Sequence, residues 1–164
     1  MKSLNKPLQL VQLTTTLFLF QFLAQAQAQT PPDFDAEKAV GIHYYEVENL
    51  QRRLKLEEAQ LAPVTQILDT FNREMDEIAL QYAEIFKERN QDFDKSVQVA
   101  MSRRDPSQME GFKARTREIL PPIAQEVQIK EQDLTGELQE VLDDSQYDKW
   151  LKYQRRNRPR SQFN

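Results

Sequence analysis

Apolar residues spaced alternately three and four positions apart form the most regular pattern in the chain. The run consists of Leu61, Val64, Leu68, Phe71, Met75, Ile78, Tyr82 and Ile85. This heptad spacing is typical of a helix that packs along another helix. After a one-residue shift the apolar face continues through Phe86, Phe93, Val97 and Met101. The pattern predicts a helix over residues 60–102, with a length of about 65 Å at the rise of an α-helix.

Three further helices are predicted around this one. The longest covers residues 108–142 and would lie antiparallel to the first. Pro121 and Pro122 fall inside it, and their missing N–H groups predict a kink or a short break. Shorter helices are predicted over residues 35–54 and after Asp143, and no run alternates with the period of a strand. The predicted fold class is all-α: an elongated antiparallel helical hairpin with short flanking helices, four in all and expected to be dimeric.

The first 28 residues have the features of a secretory signal peptide. Lys2 and Lys6 precede an apolar run from Leu8 to Leu23, and small residues in A-x-A spacing follow in AQAQAQ. A basic start, a short apolar core and a small-residue cleavage site are typical of signal peptides. The alternative is an uncleaved membrane anchor, which the polar residues inside the short run disfavour. We therefore predict an exported protein.

Charge is distributed unevenly along the rest of the chain. Removal of the signal peptide leaves 20 basic and 26 acidic residues, and no cysteine, so no disulfide stabilises the fold. Six of the basic residues lie in the last sixteen positions, where there is no acid. We divide the chain into a signal peptide (1–28), an extended leader (29–34), a helical domain (35–154) and a basic tail (155–164). The tail is predicted to be disordered, and its basic residues are Arg155, Arg156, Arg158 and Arg160.

Two similar pentapeptides flank the long helices. LEEAQ occupies residues 56–60 and LDDSQ residues 142–146. In each, the glutamine follows a cap position by three residues, so its side chain can reach back to the first backbone N–H of a helix. The motif residues are Leu56, Gln60, Leu142 and Gln146. In an exported, all-helical chain without cysteine, this pair resembles the LTxxQ-motif family of Spy and CpxP, periplasmic proteins of Gram-negative envelopes.

The two pentapeptides differ from the family pattern at the cap position, where Glu57 and Asp143 stand in place of threonine. Glutamate is a poor helix cap, and Pro63 is best accommodated in the first turn of a helix. We therefore predict that the helix after the first motif starts near Ala62. Each pentapeptide taken alone is also compatible with an ordinary helix cap, and only their pairing favours the family interpretation.

The resemblance implies a thin helical dimer that holds partly unfolded envelope proteins without ATP. The predicted hairpin is compatible with this function, because a broad apolar seam on one chain of this size would need a second chain or a client to cover it. The candidate apolar binding or dimer surface is Phe71, Met75, Ile78, Tyr82, Phe86 and Phe93.

Two alternative functions follow from other features. CpxP-like relatives suggest a regulatory partner of an envelope stress sensor. A coiled-coil structural adaptor is the other alternative, since its basic tail would dock on an acidic surface such as anionic lipid. The same tail is compatible with a disordered segment that only increases solubility.

Residue types that catalysis requires are scarce in this chain. It contains no cysteine and a single histidine, His43, and its acidic residues have the spacing of solvated helix faces. We therefore predict no enzymatic activity, no catalytic residue and no cofactor. A lone histidine makes a poor metal site, so no metal is predicted. Export and the acidic body disfavour nucleic-acid binding.

Overall fold

A computed structural model of the chain describes residues 33–105 and 107–157. The compact unit that begins at Phe34 contains six helices. They are α1 (Ala36–Val40), α2 (Val47–Leu54), α3 (Glu58–Gln81), α4 (Ala83–Arg103), α5 (Ser107–Val141) and α6 (Asp144–Asn157). The described residues contain no strand, so the all-α class is confirmed, with six helices in place of four. The predicted signal peptide and most of the leader lie outside the described residues.

Helix α5 is the central element of the fold, because it contacts α1, α3 and α4. Lys130 of α5 pairs with Glu74 of α3 at 2.8 Å. Arg115 of α5 lies 3.7 Å from Asp92 of α4. Residue numbers thus fall along α5 as they rise along α3 and α4, so α5 runs antiparallel to both. The remaining pair, α2 and α6, packs together, and α2 also contacts α3.

The prediction of a single helix over residues 35–54 is wrong, because α1 and α2 are separate helices. Gly41 ends α1 in the left-handed region with a φ of 98°, which glycine adopts without strain. Asn72 of α3 then holds the following segment extended. Its side chain accepts a hydrogen bond from the backbone N–H of Tyr45 at 3.1 Å and donates one to the Tyr45 carbonyl at 2.8 Å. As a result Tyr45 is buried and Tyr44 is exposed, although Val40, Tyr44 and Val47 have the spacing of one helix face.

The two long predicted helices have nearly the expected bounds, with two differences. Tyr82 interrupts the first, so α3 and α4 are distinct helices joined through one residue. The second, α5, continues through Pro121 and Pro122 without the predicted break. The carbonyls that these prolines leave without an N–H donor belong to Arg117 and Glu118, which are exposed. Water can satisfy those carbonyls, so the helix continues.

The apolar seam of α3 and α4 is buried inside the chain. Of the six residues predicted as a binding or dimer surface, five are buried and one is half-buried: Phe71, Met75, Ile78, Phe86 and Phe93, then Tyr82. The prediction that they form an uncovered surface is therefore wrong. Helix α5 covers this face together with the N-terminal segment. The Tyr45 ring lies 5.5 Å from that of Phe71, and the Phe34 ring 5.3 Å from that of Phe93.

The prediction that a disordered tail begins at residue 155 is wrong, because α6 continues to Asn157 and contains Arg155 and Arg156. Gln154 holds this last turn by donating a hydrogen bond to the hydroxyl oxygen of Thr135 in α5 at 3.0 Å. Arg158 and Arg160 lie outside the described residues. Within the part of the chain that the structure describes, no helix has the length and apolar character needed to cross a membrane.

Candidate functional site

The glutamines of the two pentapeptides bind each other, although 86 positions separate them in the sequence. The Nε2 atom of Gln60 donates to Oε1 of Gln146 at 2.7 Å, and Nε2 of Gln146 donates to Oε1 of Gln60 at 2.9 Å. The two carboxamides therefore form a closed ring of two hydrogen bonds. We call this arrangement, with the backbone groups described next, the glutamine lock.

Each glutamine also binds the backbone at two helix ends. The oxygen of Gln60 accepts from the N–H of Glu57 at 2.9 Å, and its nitrogen donates to the carbonyl of Val141 at 3.0 Å. The oxygen of Gln146 accepts from the N–H of Asp143 at 3.0 Å, and its nitrogen donates to the carbonyl of Lys55 at 3.3 Å. The lock thus joins the starts of α3 and α6 to the ends of α5 and α2.

The backbone partners leave each carboxamide one orientation. A flipped amide would set an NH₂ group against a backbone N–H and an oxygen against a carbonyl, and lose both bonds. In the observed orientation every donor and acceptor of the two side chains is used. A satisfied network of this kind specifies which helix ends meet, and an incomplete one would cost about 1–3 kcal/mol per unpaired buried group.

The first motif functions as a helix start despite its glutamate. Helix α3 begins at Glu58, directly after Glu57, so the predicted start near Ala62 is wrong. The reason is that Gln60 supplies the hydrogen bond to the Glu57 N–H, and Pro63 is tolerated inside the helix. The second motif has the predicted capping box, because the Asp143 carboxylate also accepts from the N–H of Gln146 at 2.8 Å.

Apolar side chains close the core directly behind the lock. Leu56 and Leu142, the first residues of the two motifs, are both buried. Trp150 of α6 is fully buried, and its ring lies 5.0 Å from that of Tyr45. The four predicted motif residues are therefore brought together. We call residues 54–64 and 138–150 the motif end; it contains six buried apolar side chains in addition to Gln146.

The opposite end of α5 is much less enclosed. Residues 94–105 and 107–111, which we call the α4–α5 tip, contain one buried residue among those described, Ser96. Met101 is 65% exposed. Its apolar neighbours Val97, Val99 and Met109 are only half-buried. An aromatic cluster of Phe34, Phe93 and Phe112, with ring centroids 5.1–5.3 Å apart, closes the core below the tip.

Polar groups enter the interface of α4 and α5 below the tip. Arg89 and Thr116 are both buried. Arg89 pairs with Asp92 at 2.9 Å. This part of the interface is therefore not a continuous apolar seam.

Basic side chains gather on α2 and α6. Arg52, Arg53, Lys149, Lys152, Arg155 and Arg156 are all exposed, and we call them the basic face. The Arg53 guanidinium lies 5.0 Å above the ring centroid of Tyr153, so α2 and α6 meet at this point. The sequence interpretation placed the basic surface in the tail and missed Arg52 and Arg53. Their adjacency in the sequence was the available signal, but their distance from residue 149 concealed the grouping.

The single histidine is part of the core boundary. His43 Nδ1 lies 2.6 Å from the carbonyl oxygen of Gly41, and Nε2 lies 3.2 Å from a carboxylate oxygen of the buried Glu131. Among the described residues no group of three potential ligands is arranged to hold a metal ion.

A cleft of about 340 Å³ lies between α3 and α5, and the Glu74–Lys130 ion pair lines it. The hydrogen bond from Lys130 to Glu74 raises the pKa of the lysine. The Lys130 ammonium therefore stays charged. Because it is already paired with Glu74, it is not free to bind an anionic ligand in this cleft.

Comparison of the chain with protein-family models, with curated proteins and with solved structures found no match.

Proposed function

We propose that the chain is an exported, non-enzymatic binding protein of the chaperone type, which holds partly unfolded envelope proteins without ATP. The observation that carries this proposal is the glutamine lock. Two pentapeptides that resemble the LTxxQ motif form one hydrogen-bonded unit between four helix ends. This contact supports the resemblance from which the function is proposed, because two unrelated helix caps are not expected to bind each other.

Clients would bind at the α4–α5 tip, in place of the seam predicted from sequence. The tip presents Val97, Val99, Met101 and Met109 at least partly to solvent. Methionine is flexible and polarizable, which suits contact with many different sequences. Local opening is also expected there, because few apolar contacts hold the tip closed. Such opening would expose further apolar surface to a client.

A homodimer remains part of the proposal, as does the elongated hairpin formed by α3 and α4 against α5. The buried seam does not require a second chain to cover it. A dimer would therefore use other surfaces, and the tip is the apolar candidate. Light scattering of the chain from residue 29 onward, coupled to size-exclusion chromatography, measures whether the dimer exists.

The client site is tested by suppression of aggregation. The chain from residue 29 onward is mixed with a thermally aggregating client, and turbidity is recorded against chain concentration. Two substitutions at the tip, Val97→Ser with Met101→Ser, remove two apolar contacts. We expect the concentration for half-suppression to rise about twenty-fivefold, since each of the two contacts contributes on the order of 1 kcal/mol.

A matched control uses two exposed apolar residues outside the tip. Leu80 is 80% exposed on α3 and Ile129 is 48% exposed on α5. The pair Leu80→Ser with Ile129→Ser should leave suppression unchanged. Equal losses in both pairs would show that the tip is not the site. No suppression by the unsubstituted chain, together with capture by the periplasmic domain of a stress sensor, would favour the regulatory alternative.

A further inference from the structure

We infer that the basic face of α2 and α6 docks on the headgroups of an anionic phospholipid bilayer. Lys149, Lys152 and Arg156 follow one another at steps of three and four, so they line one side of α6. Arg53 of α2 lies beside this line, because its guanidinium packs over Tyr153. Two helices that are far apart in sequence thus present one continuous positive surface.

These charges are not neutralised within the described part of the chain. Seven ion pairs occur there, and none of them includes a residue of the basic face. Helices α2 and α6 together hold six basic and three acidic residues, a net charge of +3. The whole chain has a net charge of −4. The basic face is therefore a local positive surface on an acidic protein, as an anionic partner requires.

Arg52 and Arg53 are placed to receive a phosphate group. The two arginines and Asn49 line a cleft of about 180 Å³ that opens to the surface. The Arg52 guanidinium is held in position, because it donates to the side chain of Asn49 at 2.6 Å and to the carbonyl of Glu48 at 3.2 Å. Guanidinium groups bind phosphate oxygens with two parallel hydrogen bonds, and a fixed guanidinium loses little freedom on binding.

The shape of the surface favours a bilayer over a single soluble anion. The basic residues extend along the exposed sides of two helices and are not gathered in an enclosed pocket. Such a surface matches an array of headgroups, where each basic residue adds a similar increment of affinity. The predicted export would place this surface next to a membrane.

This inference does not depend on client binding at the tip. Thr135, which binds Gln154 of α6, is 24 residues from Gly111 along α5. That separation is about 36 Å at the rise of an α-helix. A chain bound to lipid by its basic face would therefore leave the α4–α5 tip uncovered, and either activity can fail without the other.

Sedimentation with vesicles tests the inference. The chain from residue 29 onward, which includes the compact unit from Phe34, is mixed with vesicles of phosphatidylglycerol and phosphatidylcholine, or of phosphatidylcholine alone. We expect binding to the anionic vesicles only, with a loss of affinity as salt is raised. The double substitution Arg52→Gln with Arg53→Gln should weaken binding about twenty-fivefold, at about fivefold per basic residue.

Two control chains locate the surface. Arg103→Gln with Arg104→Gln removes an equally exposed arginine pair from the tip and should bind as the unsubstituted chain does. A chain that ends at Asn157 should keep most of its affinity. Circular dichroism confirms that each variant is folded.

Four results would overturn the inference. They are equal binding to neutral vesicles, equal losses in both arginine pairs, loss of binding in the shortened chain alone, or binding to soluble polyphosphate without binding to vesicles.

Discussion

The motif end and the α4–α5 tip lie at opposite ends of α5 and are built in different ways. The motif end combines six buried apolar side chains with a carboxamide ring in which every donor and acceptor is used. The tip has no buried apolar side chain among its described residues. Between them, Arg89 and Thr116 introduce polar groups into the interface of α4 and α5. Packing therefore weakens along α5 from the motif end to the α4–α5 tip.

One helical chain can therefore fix which helix ends meet at the motif end and expose apolar surface at the α4–α5 tip. Directional hydrogen bonds at the motif end select which helix ends meet, which apolar packing alone does not do. With the register held there, the tip can open locally without unfolding the whole chain. A heptad seam on its own would predict similar packing along its full length.

The largest expected effect comes from the same substitution made at a buried position of α3 and at an exposed position of the tip. Met75 is fully buried and Met101 is 65% exposed. Met75→Ala should lower the free energy of unfolding by about 3 kcal/mol, because it removes core contacts and leaves a cavity. Met101→Ala should change it by less than about 0.5 kcal/mol. Urea unfolding followed by circular dichroism measures both, and similar values for the two would mean that the tip is packed as tightly as the buried face of α3.

A smaller effect is expected at the glutamine lock. Gln146→Leu keeps the side-chain volume but removes the two hydrogen bonds between the carboxamides, and it removes the hydrogen bonds that Gln146 makes to the carbonyl of Lys55 and the N–H of Asp143. The free energy of unfolding should fall by about 2 kcal/mol. The control Gln139→Leu, at an exposed position of α5, should change it by less than about 0.5 kcal/mol.

Combining both lock substitutions sharpens this prediction. Gln60→Leu with Gln146→Leu should lower the free energy of unfolding by about 1 kcal/mol less than the sum of the two single changes. In the double variant no glutamine side chain is left without its glutamine partner. Additive losses would mean that the two side chains do not act as one unit.

The smallest effect concerns the helix between the two regions. Asp35 caps α1 by accepting hydrogen bonds from the N–H groups of Glu37 and Lys38. Burial raises the pKa of Asp35, but those hydrogen bonds and the Lys38 ammonium lower the pKa by more, so the net direction is down. Asp35→Ala should cost about 1 kcal/mol at neutral pH, the usual contribution of a cap.

The pH dependence follows from the lowered pKa of Asp35. A proton binds more tightly to the unfolded chain, so the contribution is fully present above the unfolded value of about 3.9. It is lost as the pH falls through the folded pKa, below that value. The difference between Asp35→Ala and the unsubstituted chain should shrink in acid. The difference between Asp35→Asn, which keeps a cap without a titrating group, and Asp35→Ala should not change with pH.

The sequence predicted the helices more reliably than the contacts between them. The spacing from Leu61 to Ile85 predicted the apolar face of this helix, but the prediction that a second chain or a client would have to cover that face was wrong. The missing information was the segment around Tyr45, which Asn72 holds against α3. The same segment was wrongly predicted as helix, because Val40, Tyr44 and Val47 happen to have helical spacing.

The candidate site was predictable only in part. Gln60 and Gln146 were found because a capping motif relates residues three positions apart, which a sequence shows directly. Their contact with each other does not follow from spacing, because 86 positions separate them. Two of the six residues of the basic face, Arg52 and Arg53, were missed, because they join α6 through packing.

The sequence by itself determined the helical class, the apolar face of each long helix and the polar caps at both motifs. These features depend on neighbours within one or two helical turns, and such neighbours are fixed by the spacing of residues along the chain. The tertiary structure alone decided that the seam is enclosed, that the two glutamines bind each other and that the basic face spans two helices. Those contacts join residues 27 to 100 positions apart, from Tyr45 and Asn72 to Arg53 and Tyr153, and no local spacing encodes them.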